Sequence, residues 1–154
     1  SDASEAMLER ARRGVYGERS FRSIPPGLRD RYFQREGAGW RVDPRVHEKI
    51  RWTRANLVDD ATVRELAAVD VVFCRNVLIY FSDETVAQVA RSIAEGLPDD
   101  GYLFLGASES LTRLATDCEL AEIGGAFVYV KAAGVHGRHG PPAGERARAK
   151  PRGE

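Results

Sequence analysis

The side chains with the types and spacing to do chemistry fall at four places. Asp2 stands just ahead of a helical segment. Asn56-Leu57 follows an alternating run, and Arg75-Asn76 follows a continuous apolar one, with Tyr80 and Phe81 close behind. Gly106-Ala107-Ser108-Glu109-Ser110 follows a third apolar run. Open parallel sheets bind ligands just outside the carboxyl ends of their strands. An acid, an amide and an Arg-Asn pair at successive strand ends together describe a nucleoside pocket. Each also has a plainer reading. Asp2 suits a helix cap, and Asn56 and Asn76 suit caps or turns. Arg75 could pair with Asp70 or Asp83, and Tyr80 and Phe81 could be core. The histidines of His136-Gly137-Arg138-His139 lack an acidic or cysteine neighbour to complete a ligand set, so no metal site is expected.

The elements that would position these groups alternate between strand and helix. Met7, Leu8 and Ala11 give the first helix an apolar face, and Gly14 ends it. A short helix is expected over 28–33, with Leu28, Tyr32 and Phe33 facing inward. Gly37-Ala38-Gly39 is a turn signal, Trp40-Arg41-Val42 a short strand, and Pro44 opens a brief helix. Residues 50–55 (IRWTRA) alternate apolar and polar, which predicts a strand, and 61–68 a helix. Residues 69–74 (VDVVFC) are almost continuously apolar, as in a strand covered on both faces. Ser82-Asp83-Glu84 begins a helix whose Val86, Val89, Ala90, Ile93 and Leu97 recur at helical spacing, and Pro98 and Gly101 close it. Tyr102 to Leu105 reads as the next strand, and 119–123 pairs with 127–130 across Gly124-Gly125. The fold class is therefore α/β with a mostly parallel sheet.

Composition narrows the function. The 154 residues suit one domain, and Lys plus Arg equals Asp plus Glu at 23 each. Zero net charge argues against a general nucleic-acid binder. The first third is nonetheless rich in arginine. No apolar run is long enough to span a bilayer and no signal pattern opens the chain, so membrane insertion is not expected. Cys74 and Cys118 belong to no CxxC pair and fit a reducing cytoplasm. From 132 to 154 the chain is Gly, Pro, Ala, Arg and His, a basic tail expected to be disordered.

The run Phe73-Cys74-Arg75-Asn76-Val77-Leu78-Ile79-Tyr80-Phe81 resembles the signature of chemotaxis receptor (CheR-type) methyltransferases. Gly14-Val15-Tyr16, Arg31-Tyr32-Phe33, Asn56-Leu57, Gly101-Tyr102-Leu103-Phe104-Leu105-Gly106 and Ser108-Glu109-Ser110 support it. The resemblance covers residues 1–131, read as a partial methyltransferase domain with a small inserted β-subdomain at about 31–50. It implies S-adenosylmethionine as cofactor, S-adenosylhomocysteine as product, and methyl ester formation on glutamates of chemoreceptor helices or a similar signalling protein. By position, Asp2 resembles the acid that holds the ribose hydroxyls, and two acceptor oxygens suit a vicinal diol. Asn56 and Leu57 resemble the adenine contacts. Arg75 and Asn76 resemble the methionine-side pair, and Tyr80 the tyrosine beside the transferred methyl. Tyr80 and Arg75 are thus the candidate catalytic residues.

The resemblance also implies parts that this sequence lacks. The family's glycine-containing cofactor loop precedes the matching segment, and Gly37-Ala38-Gly39 does not replace it, because it is not at a strand-to-helix turn. The implied Rossmann-like sheet, of strand order 3-2-1-4-5-7-6, is incomplete, with its first two strands absent. Residues 50–55 would be strand three and 69–73 strand four, with a gap between. Three arrangements follow: the chain belongs to a longer polypeptide, its edges pair with another chain, or strand three docks on strand four. The first is favoured, which makes activity a property of the full-length form and this chain alone inactive. The short loop at 36–39 predicts that no receptor tether peptide binds. The alternative reading is a degenerate, non-catalytic binding module in a signalling pathway. A further expectation is that the arginine-rich first third, including Arg12 and Arg13, meets acidic receptor helices.

Overall fold

The computed structural model describes residues 1–111 and 117–132; the expected tail beyond 132 lies outside them. Two sheets organise the chain. The larger has four strands: β4 (Val71–Cys74), β5 (Tyr102–Leu105), β6 (Cys118–Ile123) and β7 (Ala126–Lys131), in the order β4-β5-β7-β6. β4 and β5 run parallel, Val72 opposite Leu103 and Cys74 opposite Leu105. β7 is antiparallel to both β5 and β6. The sheet is therefore mixed and not mostly parallel, because the β6–β7 hairpin enters through a tight turn at Gly124-Gly125, both at positive φ.

One face of this sheet is covered by α4 (Asp60–Leu66) and α5 (Asp83–Gly96). Ser82 caps α5 by accepting the Thr85 N–H, and Asp83 and Glu84 sit where the helix dipole favours acids. The helix then buries Val89, Ala90, Ile93 and Ala94 against Leu103, Leu111 and Tyr129. The α4 and α5 backbones approach closely. A Cβ on Gly96 would lie 2.4 Å from the Arg64 carbonyl oxygen. The other face of β4 is open: Phe73 is 69% exposed and stacks on Phe104 at 4.9 Å. The expectation of a strand covered on both faces is thus corrected, since helices pack on one side only among the described residues.

The smaller sheet is antiparallel, in the order β1-β3-β2. It contains β1 (Val15–Tyr16), β2 (Phe33–Glu36) and β3 (Gly39–Val42), with β2 and β3 joined at Gly37-Ala38. Preceding it is α1 (Glu5–Arg13), which buries Leu8 and ends at Gly14 in the left-handed conformation. α2 (Pro26–Tyr32) lies between β1 and β2, and α3 (Pro44–His47) follows β3. Leu28 and Tyr32 do not face inward as expected; they are 47% and 36% exposed. Met7, on the predicted apolar face of α1, is exposed as well. Phe33 belongs to β2, where it packs edge-on against Phe21 and Tyr16. The Arg29 and Arg35 guanidiniums lie over the Trp40 ring, which donates its N–H to Glu18.

Residues 50–55 do not form the expected strand. They make an isolated parallel bridge, Asp2 to Arg54, in which the Asp2 N–H donates to the Thr53 carbonyl and the Ala55 N–H to the Asp2 carbonyl. Two hydrogen bonds are too few to extend a ladder, so the alternation has no sheet to join. Nor does this segment dock on β4, which is an edge strand among the described residues. The gap expected between them is present as a cavity.

Candidate functional site

The cavity has a volume of about 420 Å³ and lies between two walls. One comprises Ser1-Asp2-Ala3 and Ala55-Asn56-Leu57. The other is β4 and its exit, Val72 through Arg75, with Val77 and Phe81. Val63, Leu66 and Ala67 of α4 and Ile93 of α5 supply apolar lining. Volume, apolar floor and a few polar side chains suit a small-molecule site.

The first wall joins two segments through the Asp2–Arg54 bridge, and each is shaped by a local turn. The Asp2 side chain accepts the Ser4 N–H through Oδ1 at 2.8 Å, and Oδ2 has no hydrogen-bond partner among the described residues. Asn56 Oδ1 accepts the Val58 N–H at 3.3 Å, an Asx turn that delivers the chain to the α4 cap. There Asp59 accepts both the N–H and the hydroxyl of Thr62. Leu57 packs against the core under the larger sheet.

The second wall turns on Glu109, whose segment the sequence singled out without giving the acid a role. As the chain leaves β4, Asn76 adopts φ 58°, a left-handed conformation that asparagine tolerates better than most side chains. A short 3-10 turn over Leu78–Tyr80 follows. The N–H groups of Asn76, Val77 and Leu78 all point at Glu109, with distances of 2.7, 2.9 and 2.8 Å to its carboxylate. The Gly106 N–H adds a fourth at 2.6 Å. Burial works to raise the Glu109 pKa. The N–H groups of Asn76, Gly106, Leu78 and Val77 outweigh it, and the net shift is downward from the usual carboxylate range. Glycine is required at 106: a Cβ there would stand 2.6 Å from Glu109 Oε2 and 2.6 Å from Asn76 Oδ1. The signal available in the sequence was a glycine and an acid three residues apart, just past the end of a strand.

Of the predicted site residues, Asp2, Asn56, Leu57 and Arg75 line the one cavity. Asn76 and Tyr80 do not. Asn76 faces Gly106 and Glu109, and Tyr80 is 79% exposed. Cys74 also lines the cavity; burial and then the Glu109 charge push its thiol up to about 11, so it is protonated at neutral pH and no nucleophile. Neither cysteine is in a disulfide. Among the described residues no group of three or more His, Cys, Asp or Glu could hold a metal, and no helix is long and apolar enough to cross a membrane.

A cavity outside the carboxyl ends of parallel strands is where open α/β sheets bind their ligands, and here it has Asp2 on one wall and Arg75 on the other. Comparison with known proteins makes this specific. The family described as "CheR methyltransferase, SAM binding domain" matches residues 1–125. The chain belongs to that family. It is 36% identical over 117 residues to chemotaxis protein methyltransferase 2 of Vibrio cholerae, covering 75% of this chain and 41% of that protein. It is 37% identical over 131 residues to chemotaxis protein methyltransferase 1 of Pseudomonas aeruginosa, covering 84% and 47%. A probable biofilm formation methyltransferase, WspC, of P. aeruginosa is 39% identical over 109 residues, covering 71% and 26%. The chain thus spans less than half the length of these relatives.

Proposed function

We propose that the protein carrying this chain transfers a methyl group from S-adenosylmethionine to glutamate side chains of a chemoreceptor or related signalling protein in the cytoplasm. The observation that carries this reading is the convergence of Asp2, Asn56, Leu57 and Arg75 on one cavity. In it, Asp2 takes the ribose hydroxyls through its spare acceptor oxygen, Asn56 and Leu57 hold the adenine end, and Arg75 faces the methionine end, with Asn76 shaping the turn behind it. The cofactor, when bound, supplies an electrophilic methyl group on a sulfonium.

The residues have little proton chemistry to do. A glutamate acceptor is ionised at neutral pH, so no general base is required. The contributions left to the protein are alignment and exclusion of water. The Tyr80 hydroxyl, exposed beside the β4 exit, orients the incoming carboxylate, and the Arg75 guanidinium favours its charge. The exposed arginines of the first third, among them Arg13, supply a surface for acidic receptor helices. A non-catalytic docking module is the second reading, favoured by the position of Asn76 and Tyr80 outside the cavity lining.

Isothermal titration of the protein, as its gene encodes it, with S-adenosylhomocysteine tests the first reading. Binding that Asp2→Ala weakens at least about ten-fold, or ~1.4 kcal/mol, is expected. Base-labile methyl incorporation into a receptor cytoplasmic fragment should accompany it. Absence of binding by the unaltered protein up to ~1 mM ligand would leave the docking module as the better account.

A further inference from the structure

We infer that Glu109 is a positioning residue for this site: its carboxylate clamps the loop 75–81 and thereby sets where Arg75 and Tyr80 stand. The inference rests on the methyltransferase reading for its ligand, but its geometry stands alone. The loop leaves β4 with three consecutive N–H groups turned to one side, and no backbone carbonyl accepts them among the described residues. Donors withdrawn from water and left unpaired are costly, and the bonds of Val77 and Leu78 are part-buried, so this conformation is favoured when one acceptor takes all three. A carboxylate offers about four lone-pair sites, and here four N–H groups fill them. A neutral amide could not: one of its two heads is a donor and would face donors.

The clamp also has a fixed origin. Glu109 extends from the turn after β5, whose Gly106 contributes the fourth N–H, and β5 is the parallel neighbour of β4. The β5 backbone buries Leu103 at 1% exposure. The loop is therefore referenced to the most buried part of the sheet and not to its own flanks. Glu109 does not line the cavity, so it acts through the backbone of 76–78 on the neighbours Arg75 and Tyr80. Gly106 is the complementary adaptation, since any side chain there would occupy the carboxylate's position.

The test compares wild type, Glu109→Gln and Glu109→Asp in the protein as its gene encodes it. Two measurements are made: titration with S-adenosylhomocysteine, and amide hydrogen exchange resolved over residues 71–81 and 102–105. Glu109→Gln is expected to weaken ligand binding about ten-fold or more. It should also speed exchange at Asn76, Val77 and Leu78 about ten-fold while the β5 amides stay protected. Glu109→Asp, which keeps the charge on a shorter stem, should recover part of both. Unchanged affinity and unchanged protection in Glu109→Gln would overturn the inference. So would exchange that rises equally in β5, because that is the mark of a merely structural role. If Glu109→Gln does not fold, Glu109→Asp decides alone: intermediate loss at 76–78 supports the clamp, and wild-type behaviour removes it. Wild-type protein that binds no ligand would sink the proposed function, while the exchange measurement still decides whether Glu109 holds the loop.

Discussion

The two walls of the cavity are built on different principles. The β4 wall is one strand of a hydrogen-bonded sheet, backed by two helices and by Leu103 and Val89, which are almost fully buried. Its exit loop is tied to the next strand by a charged acceptor. The facing wall, Ser1 to Ala3 and Ala55 to Leu57, hangs on a single bridge, an Asx turn and the Asp59 cap, with only Leu57 reaching the core. One wall is positioned by burial and the other by a few hydrogen bonds near solvent. Burial energies exceed net exposed hydrogen-bond energies severalfold. The β4 side should therefore be the fixed reference, and the Asp2 side should be the one that a ligand orders.

Substitutions can break that contrast. The largest effect is expected at the root of the fixed wall. Leu103→Ala removes a fully buried side chain between sheet and helices. It should cost about 2–5 kcal/mol in urea unfolding, and a loss under about 1 kcal/mol would mean that the core is not where the contrast puts it. Gly96→Ala is next. Its methyl group meets the Arg64 carbonyl and the Ala67 side chain, so it should pry α4 from α5 at about 1–3 kcal/mol. Because Val63, Leu66 and Ala67 line the cavity, ligand affinity should fall with stability, which titration would show. The smallest effect belongs to the weak wall. Asp59→Ala removes the α4 cap and should cost about 1 kcal/mol. Thermal unfolding that moves as far as for Leu103→Ala would erase the distinction between the walls.

Much of the β4 wall was legible in the sequence, because its helix-covered side is buried. The three- and four-residue spacing of Val86, Val89, Ala90, Ile93 and Leu97 is the consequence of a core, and the apolar run before Arg75 gives a strand as expected, though its Val71 and Phe73 are exposed. Tyr102 to Leu105 and the hairpin across Gly124-Gly125 were legible likewise. The weak wall was read poorly. Residues 50–55 have strand-like alternation, yet a strand needs a neighbour, and alternation does not say whether one exists. In the small sheet, β1 has two residues and β2 reads Phe-Gln-Arg-Glu, too short and too polar to announce strands. The candidate site was legible as far as Asp2, Asn56, Leu57 and Arg75, because strand ends can be located from the strands. Glu109 was not, since its partners lie 31 to 33 residues earlier and are main-chain groups that no residue type reveals.

The pairing of Gly106 with Glu109 makes two positions behave as a single choice. A hydrogen atom at 106 leaves the volume that the carboxylate of 109 fills, and the carboxylate in turn takes the N–H that 106 presents. Once either is replaced, the same cluster of amides is already disturbed, and replacing the other disturbs it little further. Their costs are non-additive, as for any residues sharing one hydrogen-bond network. The two positions therefore act as one unit of structure, whose loss is counted once and not twice.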